Sequence, residues 1–272
     1  VTITPVDDGV VEGSETVILT VAPGPGYQVG TAGTATVTIA DAVPVVTVAA
    51  TDGAAAELGG DPGTFTLTRT GSTAAPLSVS VTVAGTASAT DYTPAIGPTV
   101  TFAIGQATAA VTLTPVDDGV VEGSETVILT VGAGTGYQVG ATATATVTIA
   151  DAPEAVVTVA ATDAAAGETG PDPGTFTLSR TSSTAAALTV NVTLSGTAIA
   201  ADYTPVVGPT VTFAIGQSTA AVTITPVDDG VVEGNETVIL TVAAGPGYQV
   251  GAAASATVTI ADALPVVTVA AT

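Results

Sequence analysis

Two aspartates and two glutamates crowd into one short string that occurs three times in the sequence. The string reads PVDDGVVEGSETVILTV at residues 115–131, and nearly the same residues recur at 5–21 and 226–242. Neighbouring carboxylates repel one another, which destabilises a fold unless a cation neutralises them. Calcium takes roughly six to eight oxygens from carboxylates and backbone carbonyls and tolerates irregular loops, whereas magnesium requires a stricter octahedron. The strings therefore predict sites for divalent cations, with calcium as the simplest ion.

The overall composition favours such oxygen ligands and disfavours most other chemistry. The chain has 272 residues, with 24 acidic and 2 basic side chains, a formal net charge of −22, and no His, Cys, Met or Trp. Without His or Cys we expect no ordinary general base near neutral pH, no thiolate nucleophile, no zinc, copper or iron site and no disulfide. The negative charge disfavours nucleic acid and anionic membranes, and no apolar stretch reaches the roughly 18 residues of a membrane span. Cations are the expected partners; nucleic acid and direct membrane insertion are not.

The elements that must position these carboxylates alternate apolar and small polar residues. Segments such as VVTVAAT at 45–51 and TFTLTRT at 64–70 have the period of two that indicates half-buried strands. Between residues 44 and 151 this pattern predicts seven strands and no long helix: 45–50, 64–70, 77–83, 99–104, 109–116, 125–132 and 143–150. Seven short antiparallel strands in about 110 residues are typical of an immunoglobulin-like sandwich. The predicted fold is therefore all-β, with tandem seven-stranded immunoglobulin-like antiparallel β-sandwiches.

The repeat period divides the chain into four segments. The string PVDD starts at residues 5, 115 and 226, which are 110 and then 111 residues apart. We expect 1–42 to be the C-terminal part of one repeat, 43–152 and 153–263 to be complete repeats, and 264–272 to be the first strand of a following repeat. Neither end resembles a signal peptide or an anchor, so we expect a segment of a longer array.

If the strands run up and down, the connections alternate between the two ends of each sandwich, and all nine acids of residues 43–152 fall at one end. These are Asp52, Glu57, Asp61, Asp91, Asp117, Asp118, Glu122, Glu125 and Asp151. Their counterparts in the next repeat are Asp163, Glu168, Asp172, Asp202, Asp228, Asp229, Glu233, Glu236 and Asp262. Charges that served only solubility would be spread over both ends, so this clustering favours cation binding where consecutive repeats meet.

Several separated motifs, in order, resemble the Calx-β domain. They are ATD…E…DPGTFTLTRTG, GTASATDYTP, VTFAIGQATAAVTLTPVDDGVVEGSETVILTV and ATVTIAD. This family comprises calcium-binding repeats of sodium–calcium exchanger regulatory regions, an integrin β subunit and many bacterial surface proteins. The resemblance implies a set of calcium ligands in each full repeat, with the valines contributing carbonyls: Glu57, Asp91, Asp117, Asp118, Val120, Glu122, Glu125 and Asp151, and then Glu168, Asp202, Asp228, Asp229, Val231, Glu233, Glu236 and Asp262.

The remaining candidate ligands lie outside these two sets. The partial first copy contributes Asp7, Asp8, Val10, Glu12, Glu15 and Asp41 at equivalent positions. Asp52 and its counterpart Asp163 are added as candidate metal ligands, although Asp52 and Asp61 could equally cap turns through their own backbone. Acidic loops can also simply be solvated.

This sequence departs from the exchanger-type pattern at two places. Gly119 stands where exchanger members carry a third acid, and the last strand ends in ADA instead of a run of aspartates. Both departures predict fewer ions in each site or weaker binding.

Other conspicuous residues have simpler interpretations. Tyr137 and Tyr248 are expected to pack near a turn. Arg69 and Arg180, the only cations, are expected either to form a salt link across a repeat junction or to be lone surface arginines worth less than about 1 kcal/mol.

The expected function is structural: a calcium-stiffened stalk, adhesin or fibre element of a large extracellular or cell-surface bacterial protein. A calcium-sensing regulatory module that changes its interdomain orientation is the alternative. We expect no enzyme, because glycoside hydrolysis by paired carboxylates needs a sugar-binding cleft and this chain has few aromatics. Neighbouring repeats of the same chain are the expected partners, and self-association into fibres remains open.

Overall fold

A computed structural model describes residues 1–170 and 172–270, and every regular element in it is a strand. No helix in this described part could span a membrane. The chain divides into two compact units, one formed by residues 1–116 and 124–150 and the other by residues 117–123 together with the chain from Asp151 onward.

The first unit holds twelve strands. They are β1 (Glu15–Thr20), β2 (Thr34–Ile39), β3 (Val45–Asp52), β4 (Ala54–Ala56), β5 (Gly63–Arg69), β6 (Leu77–Gly85), β7 (Tyr92–Thr93), β8 (Thr99–Phe102), β9 (Thr108–Pro115), β10 (Glu125–Val131), β11 (Gln138–Val139) and β12 (Thr144–Ala150). β1 and β2 form a separate antiparallel hairpin. The other strands form two sheets, in the orders β4-β12-β10-β6-β8 and β11-β3-β5-β9-β7.

The second unit repeats the same two sheets. Its strands are β13 (Ala155–Asp163), β14 (Ala165–Gly167), β15 (Gly174–Arg180), β16 (Leu188–Gly196), β17 (Tyr203–Thr204), β18 (Thr210–Phe213), β19 (Thr219–Pro226), β20 (Glu236–Val242), β21 (Tyr248–Val250) and β22 (Ser255–Ala261). The sheet orders are β17-β19-β15-β13-β21 and β14-β22-β20-β16-β18.

The predicted all-β sandwich is confirmed, and the alternation of residues explains why it forms. In β5, Phe65 and Leu67 are completely buried, while the alternating threonines are half-buried or exposed. In β10, Val127, Leu129 and Val131 point inward in the same way. Each core is thus made of one inward-facing row per strand, which a period of two requires.

Three short strands in the first full repeat were not predicted: β4, β7 and β11. The first of them arises because β3 loses its register with β5 between Ala50 and Asp52, after which the chain continues as β4 in the other sheet, parallel to β12. The sequence of β4 is only Ala-Ala-Ala, which carries no alternation. The expected strand at 264–272 is not formed in its described part, residues 264–270, and residues 271 and 272 lie outside the described residues.

Both arginines are buried, so the expectation of lone surface arginines was wrong. Arg69 is only 3% exposed; its Nε donates to the carbonyl of Gln106 at 2.7 Å and its Nη1 to that of Ala75 at 3.0 Å. Its guanidinium carbon lies 5.3 Å from the centre of the Phe102 ring, within the range of a cation–π contact. The arginine thereby joins the end of β5 to two loops.

Arg180 makes the equivalent contacts in the second unit. It donates to the carbonyls of Gln217 at 2.9 Å and Ala186 at 3.0 Å, and lies 5.4 Å from the centre of the Phe213 ring. Burial lowers the pKa of Arg180.

The packing role expected for the turn tyrosines is confirmed. Tyr137 is 6% exposed, and its hydroxyl donates to the carbonyl of Gly132 at 2.6 Å and accepts from the amide of Ser80 at 3.1 Å. The hydroxyl of Tyr248 is bound by Ala243 and Asn191 in the same way.

Candidate metal centre

Three carboxylates of the second unit come together at one end of the sandwich. Asp202, Glu233 and Glu236 each offer an oxygen, and these oxygens all lie within 4.8 Å of one another. Asp202 directly precedes β17, Glu233 lies in the loop between β19 and β20, and Glu236 is the first residue of β20. Asp202 is buried, Glu236 is half-buried and Glu233 is exposed. The group is therefore anchored in the fold on one side and open to solvent on the other.

The position of Asp202 is fixed by its own turn. Its carboxylate accepts a hydrogen bond from the amide of Ile199 at 2.6 Å, and its own amide donates to the carbonyl of Ile199 at 3.1 Å. Its carbonyl accepts from Val227 at 2.9 Å, at the end of β19. The next residue, Tyr203, is buried and pairs with Pro226. These contacts hold the Asp202 side chain at the sandwich end without any ion.

Asp262, which follows the end of β22, holds the loop that carries Glu233. Its Oδ2 accepts hydrogen bonds from the amides of Glu233 at 2.9 Å and Gly234 at 2.8 Å. Its other oxygen, Oδ1, is buried and has no hydrogen-bond partner in the described residues, and the same is true of Oε2 of Glu236. A buried anionic oxygen without a partner is costly, so both atoms are suited to accept a cation.

Burial, together with the charges of neighbouring carboxylates, raises the pKa values of Glu233 and Glu236. The pKa of Glu236 rises from 4.5 to about 7, chiefly through burial, and then through its hydrogen bond to Asp202 and the charge of that residue. The pKa of Glu233 is also raised, by desolvation and by the charges of Asp229 and Asp202. Without a cation, the site therefore holds protons more tightly than isolated carboxylates do.

Glu168 reaches the same region from the connection that follows β14. Its carboxylate accepts a hydrogen bond from the amide of Ala263 at 3.1 Å, and its charge contributes to the raised pKa values of both Glu233 and Glu236. Its counterpart in the first unit, Glu57, is 6% exposed, and its amide donates to the carbonyl of Ala150 at 3.0 Å.

The consecutive aspartates of the string shape the loop. Oδ1 of Asp228 accepts from the amide of Gly230 at 3.0 Å, and Oδ1 of Asp229 accepts from the amide of Val231 at 2.9 Å. Such bonds to an amide two residues ahead are Asx turns. The aspartates of the other two strings make the same turns: Asp7 with Gly9, Asp8 with Val10, Asp117 with Gly119 and Asp118 with Val120. Each aspartate thus has one oxygen engaged by the loop.

In the first full repeat, Asp91 is held more tightly than its counterpart Asp202. It accepts from the amide of Ser88 at 2.5 Å and from the hydroxyls of Ser88 and Thr90 at 3.0 and 3.1 Å. These bonds, the backbone one first, and a further one with Glu125 lower the pKa of Asp91. These hydroxyls are not among the residues predicted for the site, although the stretch SATD carries them three and one residues before the aspartate.

The loop anchor of Asp262 recurs in the other two copies. Oδ2 of Asp151 accepts from the amides of Glu122 at 2.7 Å and Gly123 at 2.6 Å, and its Oδ1 is buried without a hydrogen-bond partner in the described residues. In the partial first copy, Asp41 accepts from the amides of Glu12 and Gly13, and Glu15 is the exposed first residue of β1.

Asp52 and Asp163 lie at the break between the first two strands of each full repeat. Each accepts a hydrogen bond at 3.4 Å from the amide two residues ahead, Ala54 and Ala165 respectively. Both are exposed, and neither belongs to a group of three close carboxylates in the described chain. Their contacts fit the turn-capping alternative. Val10, Val120 and Val231 have exposed side chains in their loops.

Comparison with known proteins identifies a family. The profile of the Calx-beta domain matches residues 1–43, 45–153 and 156–264, which is almost the whole chain. No curated protein sequence matches.

Matches among solved structures include a calcium-binding domain, an integrin-binding protein and an adhesin. The calcium-binding domain CBD12 of CALX1.1 is 19% identical with a TM-score of 0.43, over 78% of this chain and 98% of that one. Invasin, a bacterial integrin-binding protein, is 19% identical with a TM-score of 0.39, over 81% of this chain and 39% of that one. The Escherichia coli adhesin FdeC is 19% identical with a TM-score of 0.27, over 85% and 69%.

Proposed function

Because this chain belongs to the Calx-beta domain family, we propose that the group Asp202, Glu233 and Glu236 binds calcium, together with Asp262 and Glu168. The observation that carries the proposal is the pair of buried oxygens, Oε2 of Glu236 and Oδ1 of Asp262, that have no hydrogen-bond partner in the described part of the chain. Both belong to a region in which burial and charge repulsion raise the pKa values of the glutamates. A divalent cation would satisfy both atoms and remove the repulsion.

The donor set fits calcium better than the other common metals. All the donors are carboxylate and carbonyl oxygens, which excludes the nitrogen and sulfur ligands that zinc and copper prefer. They come from a loop, a strand start and a turn, an irregular arrangement that calcium tolerates and magnesium does not favour. The positions equivalent to these in the first full repeat are Glu57, Asp91, Glu122, Glu125 and Asp151, and they are proposed ligands as well. The consecutive aspartates and the carbonyls of Val120 and Val231 complete the proposed sets.

Calcium bound in this way would stabilise the repeat. An ion that binds only the folded state adds about 2.7 kcal/mol to the free energy of unfolding when its free concentration is about a hundred times the dissociation constant. Small cores built mainly from valine, with some leucine, isoleucine and a few aromatics, gain from such a contribution. Millimolar calcium outside cells would suffice even for weak sites.

We therefore propose that the chain is a calcium-stabilised tandem-repeat segment of an extracellular or cell-surface protein, acting as a structural stalk or adhesin element. Its nearest partners would be neighbouring repeats of the same chain. Repeated copies of one sandwich, with the same carboxylates at the same end, support a structural role, because each copy would be stabilised by the same ion.

A calcium titration of the chelated protein tests this function. Isothermal calorimetry should show binding of calcium and much weaker binding of magnesium. Amide hydrogen exchange, measured separately, should be slower in β20 when calcium is present. Glu233→Gln should weaken binding at the second-unit site, whereas the matched control Asp163→Asn, an exposed carboxylate at a turn, should leave it unchanged. Equal effects of both variants, or no change with calcium, would contradict the proposal.

A further inference from the structure

The glycine after the paired aspartates lies in close contact with the next segment of chain in two of the three copies. An ideal Cβ on Gly119 would lie 2.7 Å from Cβ and 2.8 Å from N of Ala186, within the second unit. On Gly9, in the first unit, it would lie 2.4 Å from N and 2.8 Å from Cβ of Ala75. Since the obstructing atoms include backbone, no rotamer change could relieve the overlap. Glycine is required here by a neighbour as well as by its backbone angle.

The segments that contact these glycines are held in a defined conformation. The carbonyls of Ala75 and Ala186 accept hydrogen bonds from the buried guanidinium groups of Arg69 and Arg180. In the second unit, the hydroxyl of Ser183 also donates to Asp117 at 2.6 Å. A pocket of about 50 Å³ lies beside Gly119, and its lining includes Arg180 and Ser183. The contact is therefore closely packed and combines steric fit with a charge-assisted hydrogen bond.

The third copy has the same loop but no such neighbour. Gly230 has the φ of Gly119, 77° in both, yet nothing in the described chain lies within 4 Å of its ideal Cβ. Asp228 and Gly230 are exposed, whereas Asp117 and Gly119 are half-buried. The valines that follow do not distinguish the two loops, because Val231 is 54% and Val120 is 53% exposed. The loop Asp228–Val232 thus presents a surface whose two counterparts are each covered by an alanine-containing segment.

We propose that the Asp228–Val232 loop is a docking surface for a further Calx-beta repeat, and that the docking segment is the equivalent of Ser183–Ala186. Both segments of this kind in the described chain, at Ala75 and Ala186, already contact a glycine. A second copy of the chain would therefore offer no free segment, and the partner is a repeat beyond the three copies present. The docking loop shares Asp228, Asp229 and Val231 with the proposed calcium site, but the packing of Gly119 against Ala186 is steric and needs no metal ion.

Gly119 and its counterparts therefore exclude a side chain so that the next repeat can approach. Exchanger members carry a third acid at the position of Gly119. From the sequence alone, its absence predicts fewer bound ions; the contact with Ala186 explains why a glycine stands there. Any side chain at this position would collide with the backbone of the docking segment.

Thiol cross-linking in an extended chain tests the proposal. A copy of residues 163–263 is appended after Thr272, which completes a further repeat, and cysteines are placed at Asp228 and at the appended copy of Ser183. Because the natural chain has no cysteine, the only thiols are the introduced ones. The reference pair is Asp117→Cys with Ser183→Cys, where the structure shows the hydrogen bond. All reactions use a short bifunctional maleimide and a calcium chelator, so failure of calcium binding would not affect the result.

The two pairs should cross-link to a similar extent. Gly230→Ala should lower the cross-linking yield of the pair at Asp228 by at least about fivefold. This is the smallest effect expected when an extra methyl group is forced into a closely packed contact and shifts the docking equilibrium. Gly234→Ala is the matched control, because Gly234 also has positive φ, 84°, and nothing in the described chain lies within 4 Å of its ideal Cβ. The proposal is overturned if either pair fails to cross-link, or if Gly230→Ala and Gly234→Ala have the same effect.

Discussion

Replacing Glu236 by Gln should stabilise the calcium-free protein and weaken its calcium binding. The ionised Glu236 side chain is half-buried, lies beside Asp202 and has one oxygen without a hydrogen-bond partner in the described residues. A glutamine has nearly the same shape but no charge, and its amide can donate to Asp202. The substitution therefore removes the repulsion in the free site and also one charged ligand from the occupied site. A substituted calcium ligand should therefore raise stability without calcium and lower it with calcium. A residue that only supports the fold should lower stability in both conditions when it is substituted.

The size and pH dependence of the effect follow from the raised pKa of Glu236. Between its ordinary value of 4.5 and its folded value of about 7, the folded state keeps a proton that the unfolded state has lost. The stabilisation from this proton is fully present below the lower value and is lost as pH rises through the upper one. Because solvent screens a half-buried carboxylate, we expect a gain of about 1–2 kcal/mol for Glu236→Gln in chelator at pH 8.

Amide hydrogen exchange along β20 measures this change in local stability. In chelator at pH 8, Glu236→Gln should slow exchange relative to the natural chain, and at pH 4 the difference should be small. With saturating calcium, the amides of β20 should exchange faster in Glu236→Gln than in the natural chain. If the variant were less stable than the natural chain in chelator at both pH values, Glu236 would be a structural residue and the reasoning would be refuted.

Three other outcomes are expected. Asp262→Asn removes the charge that holds the amides of Glu233 and Gly234 and should reduce local stability in chelator by about 1–3 kcal/mol, measured by amide exchange in that loop; unchanged protection there would contradict the anchoring role. Arg180→Met leaves the carbonyls of Gln217 and Ala186 without their donors and should lower the unfolding free energy by about 2–4 kcal/mol in denaturant titration, whereas a surface arginine would change it by less than about 0.5 kcal/mol. Calcium affinity should fall as sodium chloride rises, because salt screens the carboxylates that attract the ion; an affinity independent of salt in calorimetry would contradict electrostatic binding.

The alternation of apolar and polar residues made the main strands predictable. The break between β3 and β4 has no such pattern in the sequence and could not be predicted. Phe65 and Leu67 face inward as the period of two requires, and this held for all seven long strands. The crossing to the other sheet after Asp52 depends on pairing with β12, about 90 residues later in the chain, which no local pattern contains. Arg69 was misjudged for a different reason. It is in phase with Phe65 and Leu67, so the alternation itself placed it inside, and only the expectation that arginines are exposed argued otherwise.

The sequence placed the carboxylates at one end but could not assign their individual contacts. Asp228 and Asp229 look like the most obvious ligands in the string, yet each has an oxygen bound to the backbone of its own loop. Asp262, distant in sequence, fixes the loop, and Asp202 comes from a third connection. Which side chains meet is set by the antiparallel pairing of β20 with β22 and by the pairing of β17 with β19, both of which are tertiary.

The parallel pairing of β14 with β22 determines how a repeat resists tension. Ala165–Gly167 lies near the start of the repeat and Ser255–Ala261 near its end, and the two strands run in the same direction. When force pulls the two ends of the repeat apart, these strands must slide past each other, so their hydrogen bonds bear the load at the same time instead of opening one after another. We expect a repeat anchored in this way to rupture at a higher force than one whose end strands can peel apart.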